Sequence, residues 1–225
     1  MNQKKIANWS TRTAPLIALL YNITFLTTGG MARPIFGTLM LVSIVSFFVW
    51  GLLRARVTTM SVPHLGLLAG LATSVVGAVF GILNAVRIAQ PDSSLSQTLG
   101  DAHPAMMVVG FLVPVGMAFI EWTVRPGSIS ERASRLGQFQ IVLPFLGGIA
   151  LATGLLVELD PLIKLSLPLE VIGLVIFLVR MVPTMRGISW LDSGVARHGV
   201  TATIFLIVNI GILVYLIGNY ADDIE

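Results

Sequence analysis

Apolar positions along this chain neither alternate nor confine themselves to one helical face. They run in long blocks, at about residues 14–30, 35–53, 64–88, 103–123, 138–157, 161–183 and 199–219, separated by short polar stretches. Each block can cross about 30 Å of hydrocarbon as a helix. A helix satisfies its own backbone hydrogen bonds there, which an open strand does not. The pattern predicts an all-α polytopic membrane protein, a single transmembrane domain over residues 1–225 built as a seven-helix bundle. The opening, "MNQKKIANWSTRTAPLIALL", places basic residues ahead of an apolar run. It carries no small-residue cleavage site, so the first block reads as a retained span.

Composition agrees. The chain is 55% hydrophobic and 11% charged, against about 25% charged for a soluble domain. No polar stretch is long enough for a second domain. The absence of cysteine excludes disulfides, thiolate metal sites and iron–sulfur clusters.

Charge then orients the bundle. With the N-terminus in the cytoplasm, one side holds Lys4, Lys5, Arg12, Arg54, Arg56, Arg125, Arg132, Arg135, Arg180, Arg186 and Arg197. The other holds only Arg33, Arg87 and Lys164. This bias predicts the N-terminus inside and the C-terminal "ADDIE" outside, in the multi-pass cytoplasmic membrane of a prokaryote. The basic loops then face anionic headgroups rather than nucleic acid. The expected partners are the bilayer and, as open alternatives, other membrane subunits or further copies of the chain.

Four places carry candidate chemistry. Span three has a small-residue stripe of Gly66, Gly70, Gly77 and Gly81, with Ser74 between. Close helix packing accounts for such a stripe, and a flat ligand lying against it is the sharper alternative. Span four opens with Asp101, His103 and Pro104. Asp101 is placed to cap the helix and Pro104 suits its first turn. At 3.6 residues per turn, Met107, Gly110, Phe111 and Pro114 share the His103 face. His103 is either a rim histidine bonded to Asp101 or water, or an axial metal ligand with Asp101 orienting its ring. His64 and His198 fall at the cytoplasmic ends of spans three and seven, as headgroup contacts or a secondary haem clamp. Span six buries Glu170, and an ionisable group at that depth is a functional candidate for proton transfer or ion binding. Pro168 frees a backbone group that could take a hydrogen bond from Glu170. Arg180 is placed to snorkel to the inner surface. Asn209 in span seven is expected to hold helices together, and Tyr215 and Tyr220 fit an aromatic belt.

Read together, "HLGLLAGLATSVVGAVFGILNAVRIAQPDSSLSQTLGDAHPAMMVVGFLVPVGMAFIEWTVRP", residues 64–126, resembles the first two helices of haem–copper oxidase subunit I. The matching positions are Gly66, Gly77, Arg87, Gln90, Pro91, Ala102, His103, Met107, Phe111, Pro114, Phe119, Trp122 and Pro126. The resemblance implies haem b, with His103 as axial ligand of a low-spin iron and Arg87 at the haem edge. Gly110 would leave room on the same face and the span-three stripe would form the opposite wall. The copper-site histidines, the cross-linked tyrosine and the second haem ligand have no counterpart here. Met31 and Met106 are the methionines on the outer side to test as a second ligand. A five-coordinate or weakly six-coordinate iron would then serve electron transfer or bind a small gas such as O2 or NO. Two other classes stand beside it. One is a transporter or proton pathway centred on Glu170. The other is a structural or pigment-binding subunit of a respiratory or photosynthetic complex.

Overall fold

The computed structural model describes residues 3–26, 30–188 and 194–220, and the described residues form helices with no strand. Seven helices follow the expected order: α1 (Gln3–Leu26), α2 (Ala32–Ala55), α3 (Val62–Ala89), α4 (Leu99–Val124), α5 (Arg135–Leu156), α6 (Asp160–Arg186) and α7 (Gly194–Tyr220). Six of them, α2 to α7, are long and apolar enough to cross a membrane. The first differs. Within α1 only Thr13–Thr24 forms a shorter apolar segment, because its first half is polar and basic. The C-terminal "ADDIE" lies outside the described residues.

Apolar side chains cover the outside of the bundle as well as its inside. Leu39, Val42, Val175, Val179, Phe205 and Val208 are all exposed on the helices, as a hydrocarbon solvent allows. The core falls into two clusters. One gathers Val62, Met117, Ile120, Ile141, Phe177, Met181 and Ile210 toward the end carrying most of the arginines, here termed the basic end. The other gathers Ala102, Met106, Val109, Leu151, Ala152 and Ile163 toward the opposite end. The most extensive helix pairing is α5 with α6; α4 sits between α3, α5 and α7; α2 packs on α1 and α3.

Proline chemistry shapes α4. Its middle, Ala105–Leu112, is wound as a π-helix between Pro104 and Pro114. Pro114 has no N–H, so it frees the carbonyl four residues earlier, that of Gly110. Thr73 Oγ1 of α3 donates to that carbonyl at 2.7 Å. The distortion is thus held by a bond from the neighbouring helix. It also ends the simple 3.6-residue register expected of this span. Met107 and Phe111 face the α3 stripe, whereas Gly110 faces Thr73 and α5.

Two expectations about the start of α4 change. The helix begins at Leu99 with Thr98 at its N-cap and no side-chain cap bond. Asp101 is an exposed first-turn acid rather than the cap, and Pro104 lies inside the helix.

Candidate functional site

Two polar arrangements lie inside the bundle. The α3–α4 interface holds the first. His103 reaches across to α3, and its Nδ1 donates to the Gly77 carbonyl at 2.7 Å. The bond requires the proton on Nδ1, so in the neutral ring Nε2 carries the lone pair. The ring is oriented by α3 and not by Asp101. It lies against Gly81, where an added Cβ would fall 2.8 Å from Cε1. Arg87 is at the same end of α3, its guanidinium donating to Asn84 Oδ1 at 3.0 and 3.1 Å. Asn84 in turn packs beside Gly100 of α4.

The glycine stripe proves to be filled. Along α3, Gly66 receives Ala118 and Pro114, Gly70 receives Val115 and Phe111, Gly77 receives Met107, and Gly81 receives His103. Gly110 is filled too: Gly148 of α5 lies against its Cα. A macrocycle has no slot between α3 and α4, so the residues expected to wall a haem do not fit one there. Met107 and Gly110 are packing residues of the helix crossing. Of the two methionines, Met106 is buried in the core and Met31 is exposed beside Gln90.

The other histidines are engaged locally. His64 Nδ1 is 2.8 Å from Ser61 Oγ, the N-cap of its own helix. His198 Nδ1 donates to the Gly194 carbonyl at 2.6 Å. Among the described residues, helices α3 and α7 share no substantial packing face. Among the described residues no three His, Asp or Glu side chains come together as a metal site.

The second arrangement lies among α4, α5 and α6. Glu121, 1% exposed, takes a two-pronged ion pair from Arg180, with Nη1–Oε2 and Nη2–Oε1 both at 2.7 Å. Gln140 Nε2 donates to Glu121 Oε2 at 3.2 Å, and Arg180 Nη1 donates to Gln140 Oε1. Arg180 therefore turns into the bundle, contrary to the expected snorkelling. Arg125 stands 3.7 Å from Glu121 and 2.7 Å from Glu131. Glu121, Arg125, Glu131 and Arg180 border a polar cavity of about 250 Å³ at the basic end, lined also by Ser128 and Arg132. The Ser128 hydroxyl is buried with no partner.

Deeper on the same helices sits Glu170, 0% exposed, with neither carboxyl oxygen hydrogen-bonded. Its carboxyl rests on Gly147 of α5, where an added Cβ would lie 2.5 Å from Oε1. Among the described residues neither oxygen finds a partner, and the backbone near Pro168 does not bond it. Lys164 is turned away and pairs with Asp160 at 3.7 Å. Ten residues separate Glu170 from Arg180 on α6, about 15 Å along the axis. Leu174 and Phe177, both buried, lie between them.

Sequence reasoning singled out Glu170 but missed Glu121 and Gln140. The available signal was Glu121 inside an apolar span, with Arg180 inside another: two unlike charges in hydrocarbon require each other. Asn209 also differs from expectation, since it donates to Phe205 of its own helix at 2.9 Å and is exposed. No known protein family, curated protein or solved structure matches the chain.

Proposed function

We propose that the protein conducts protons across a prokaryotic cytoplasmic membrane, with Glu170 as the proton-carrying group inside the bilayer. The single observation behind this reading is a fully buried carboxyl with no hydrogen-bond partner. An ionised carboxylate is extremely costly in such a place, so the resting form is the neutral acid. Such a group has no structural bond to explain it and is a proton-relay candidate by its position. The Glu121–Arg180–Gln140 cluster and its polar cavity supply the approach from the basic end, which the charge bias puts in the cytoplasm with the C-terminus outside. Leu174 and Phe177 form the dry section, and conduction requires that section to wet, as in hydrophobic gates.

The test is proton flux in vesicles holding the purified protein and a pH-sensitive dye, driven by a potassium diffusion potential. Wild type should acidify or alkalinise the lumen in the direction of the potential, and Glu170→Gln should match empty vesicles. Wild-type flux no greater than empty vesicles, or full flux in Glu170→Gln, overturns the reading.

A second reading keeps His103 as a ligand of haem iron. One feature favours it: the Nδ1–H bond to Gly77 leaves Nε2 with its lone pair, the disposition of metal-bound imidazoles. The filled α3–α4 interface stands against it. An absorption spectrum decides: a Soret band that His103→Ala removes supports this reading, and a colourless folded protein ends it.

A further inference from the structure

Helices α2 and α4 both pack on α3 but leave a gap between themselves over its surface. At Gly51 the α2 backbone comes close enough to α3 that an added Cβ would fall 2.9 Å from Leu68. Beside that contact the helices bound a groove of about 630 Å³, within the range of small-molecule sites. Its walls are aromatic and aliphatic, with Phe47 and Trp50 from α2 and Phe111, Val115 and Phe119 from α4. Its polar lining is concentrated at the basic end, where Arg54 and His64 border it. The Arg54 guanidinium stands 5.9 Å from the Trp50 ring centroid. The His64 Nδ1 is engaged by Ser61, so Nε2 is the ring's free nitrogen. Among the described residues no acidic side chain lines the groove.

We propose that this groove binds one anionic phospholipid, its acyl chains along the aromatic walls and its phosphate at Arg54 and His64. Apolar walls with the polar groups gathered at one end suit an amphiphile, chains along the walls and headgroup at the polar end. The partly open face lets a chain enter sideways from hydrocarbon. Two hydrogen-bonding groups, one a fixed cation, with no carboxylate among the described lining residues, complement a phosphate diester. Basic pockets between membrane helices, on the side where anionic lipids concentrate, take such headgroups. The site is independent of Glu170 and of the proton reading.

Trp50 is the built-in reporter. Four tryptophans are present, so Trp9→Phe, Trp122→Phe and Trp190→Phe leave Trp50 alone. The full chain is placed in vesicles of phosphatidylcholine and phosphatidylglycerol in which one lipid carries brominated chains that quench indole fluorescence. Brominated phosphatidylglycerol should quench Trp50 with an apparent preference of about fivefold over brominated phosphatidylcholine. Arg54→Gln with His64→Gln should abolish the preference, and Arg56→Gln, a neighbour outside the groove, should keep it. Equal quenching by both lipids overturns the proposal. So does a preference that survives the double substitution, or one lost equally in Arg56→Gln. Stoichiometric co-extraction of an uncharged isoprenoid quinone in place of phospholipid also overturns it.

Discussion

The α3–α4 interface and the α5–α6 interface both place glycines where the helices approach, and they use them for opposite ends. Between α3 and α4 every gap opened by a glycine is closed by an opposing side chain, and each polar group there finds a bond: His103 to Gly77, Thr73 to Gly110. Between α5 and α6, Gly147 makes room for a carboxyl that bonds to nothing, and Gly173 admits the ring of Pro144. The first interface has the features of a structural joint. The second keeps an unsatisfied group where hydrocarbon penalises it most. The lesson is that a motif-rich helix pair need not be the chemical one. An unpaired buried group is the better pointer, because it costs stability without returning any.

The comparison breaks most visibly at Arg180, where the α6 side depends on charge pairing. Arg180→Leu leaves buried Glu121 with only Gln140 and the more distant Arg125, and should destabilise the fold by about 3 kcal/mol, the low end for a broken buried pair. Arg180→Leu combined with Glu121→Leu should recover part of that loss, since a buried pair is replaceable by apolar residues of similar volume, while buried Gln140 loses both of its partners. Unfolding in mixed micelles measures both. A double variant as unstable as the single one would show that the pair does more than neutralise itself.

Next in size is the close approach of α4 and α5. In Gly148→Ala the new Cβ meets the Gly110 backbone, not a flexible side-chain tip. The helices must separate at a cost of about 1–3 kcal/mol, the usual range for overpacking. Thermal unfolding of Gly148→Ala beside Gly116→Ala checks it, because an added Cβ at Gly116 meets nothing within 4 Å. Equal stability in the two variants would mean that the α4–α5 crossing yields more easily than its geometry indicates.

The smallest effect sharpens the contrast by having the opposite sign. Glu170→Leu removes a buried carboxyl without a partner and should stabilise the protein by about 1–2 kcal/mol. The same assay reads it. A loss of stability would mean that Glu170 holds its helices together and is not an unsatisfied group retained for function.

Much of the architecture was legible along the chain. Apolar blocks located the helices because hydrocarbon demands a self-bonded backbone, and the six spans from α2 onward fall within a few residues of their expected limits. Glu170 was legible for the same reason, as an acid deep in an apolar block. The limits appear at α1, where a basic first half leaves an apolar piece shorter than the others, and at α4. There, a 3.6-residue register placed Gly110 on the His103 face, and the π-helical turn between two prolines moved it. The partners of His103 and Arg180 were not legible either, since Gly77 and Glu121 lie 26 and 59 positions away.

What the sequence by itself determined is therefore what is set by one long segment against its solvent: the place and order of the six long apolar helices, the basic end and the depth of the ionisable groups. Only the tertiary structure decided which of those groups are satisfied. A glycine stripe reads identically whether a ligand or a neighbouring helix lies on it. A buried glutamate reads identically whether an arginine meets it, as at Glu121, or nothing does, as at Glu170. Transfer into hydrocarbon depends on each segment alone, whereas hydrogen bonds and close packing depend on which segments the fold brings together.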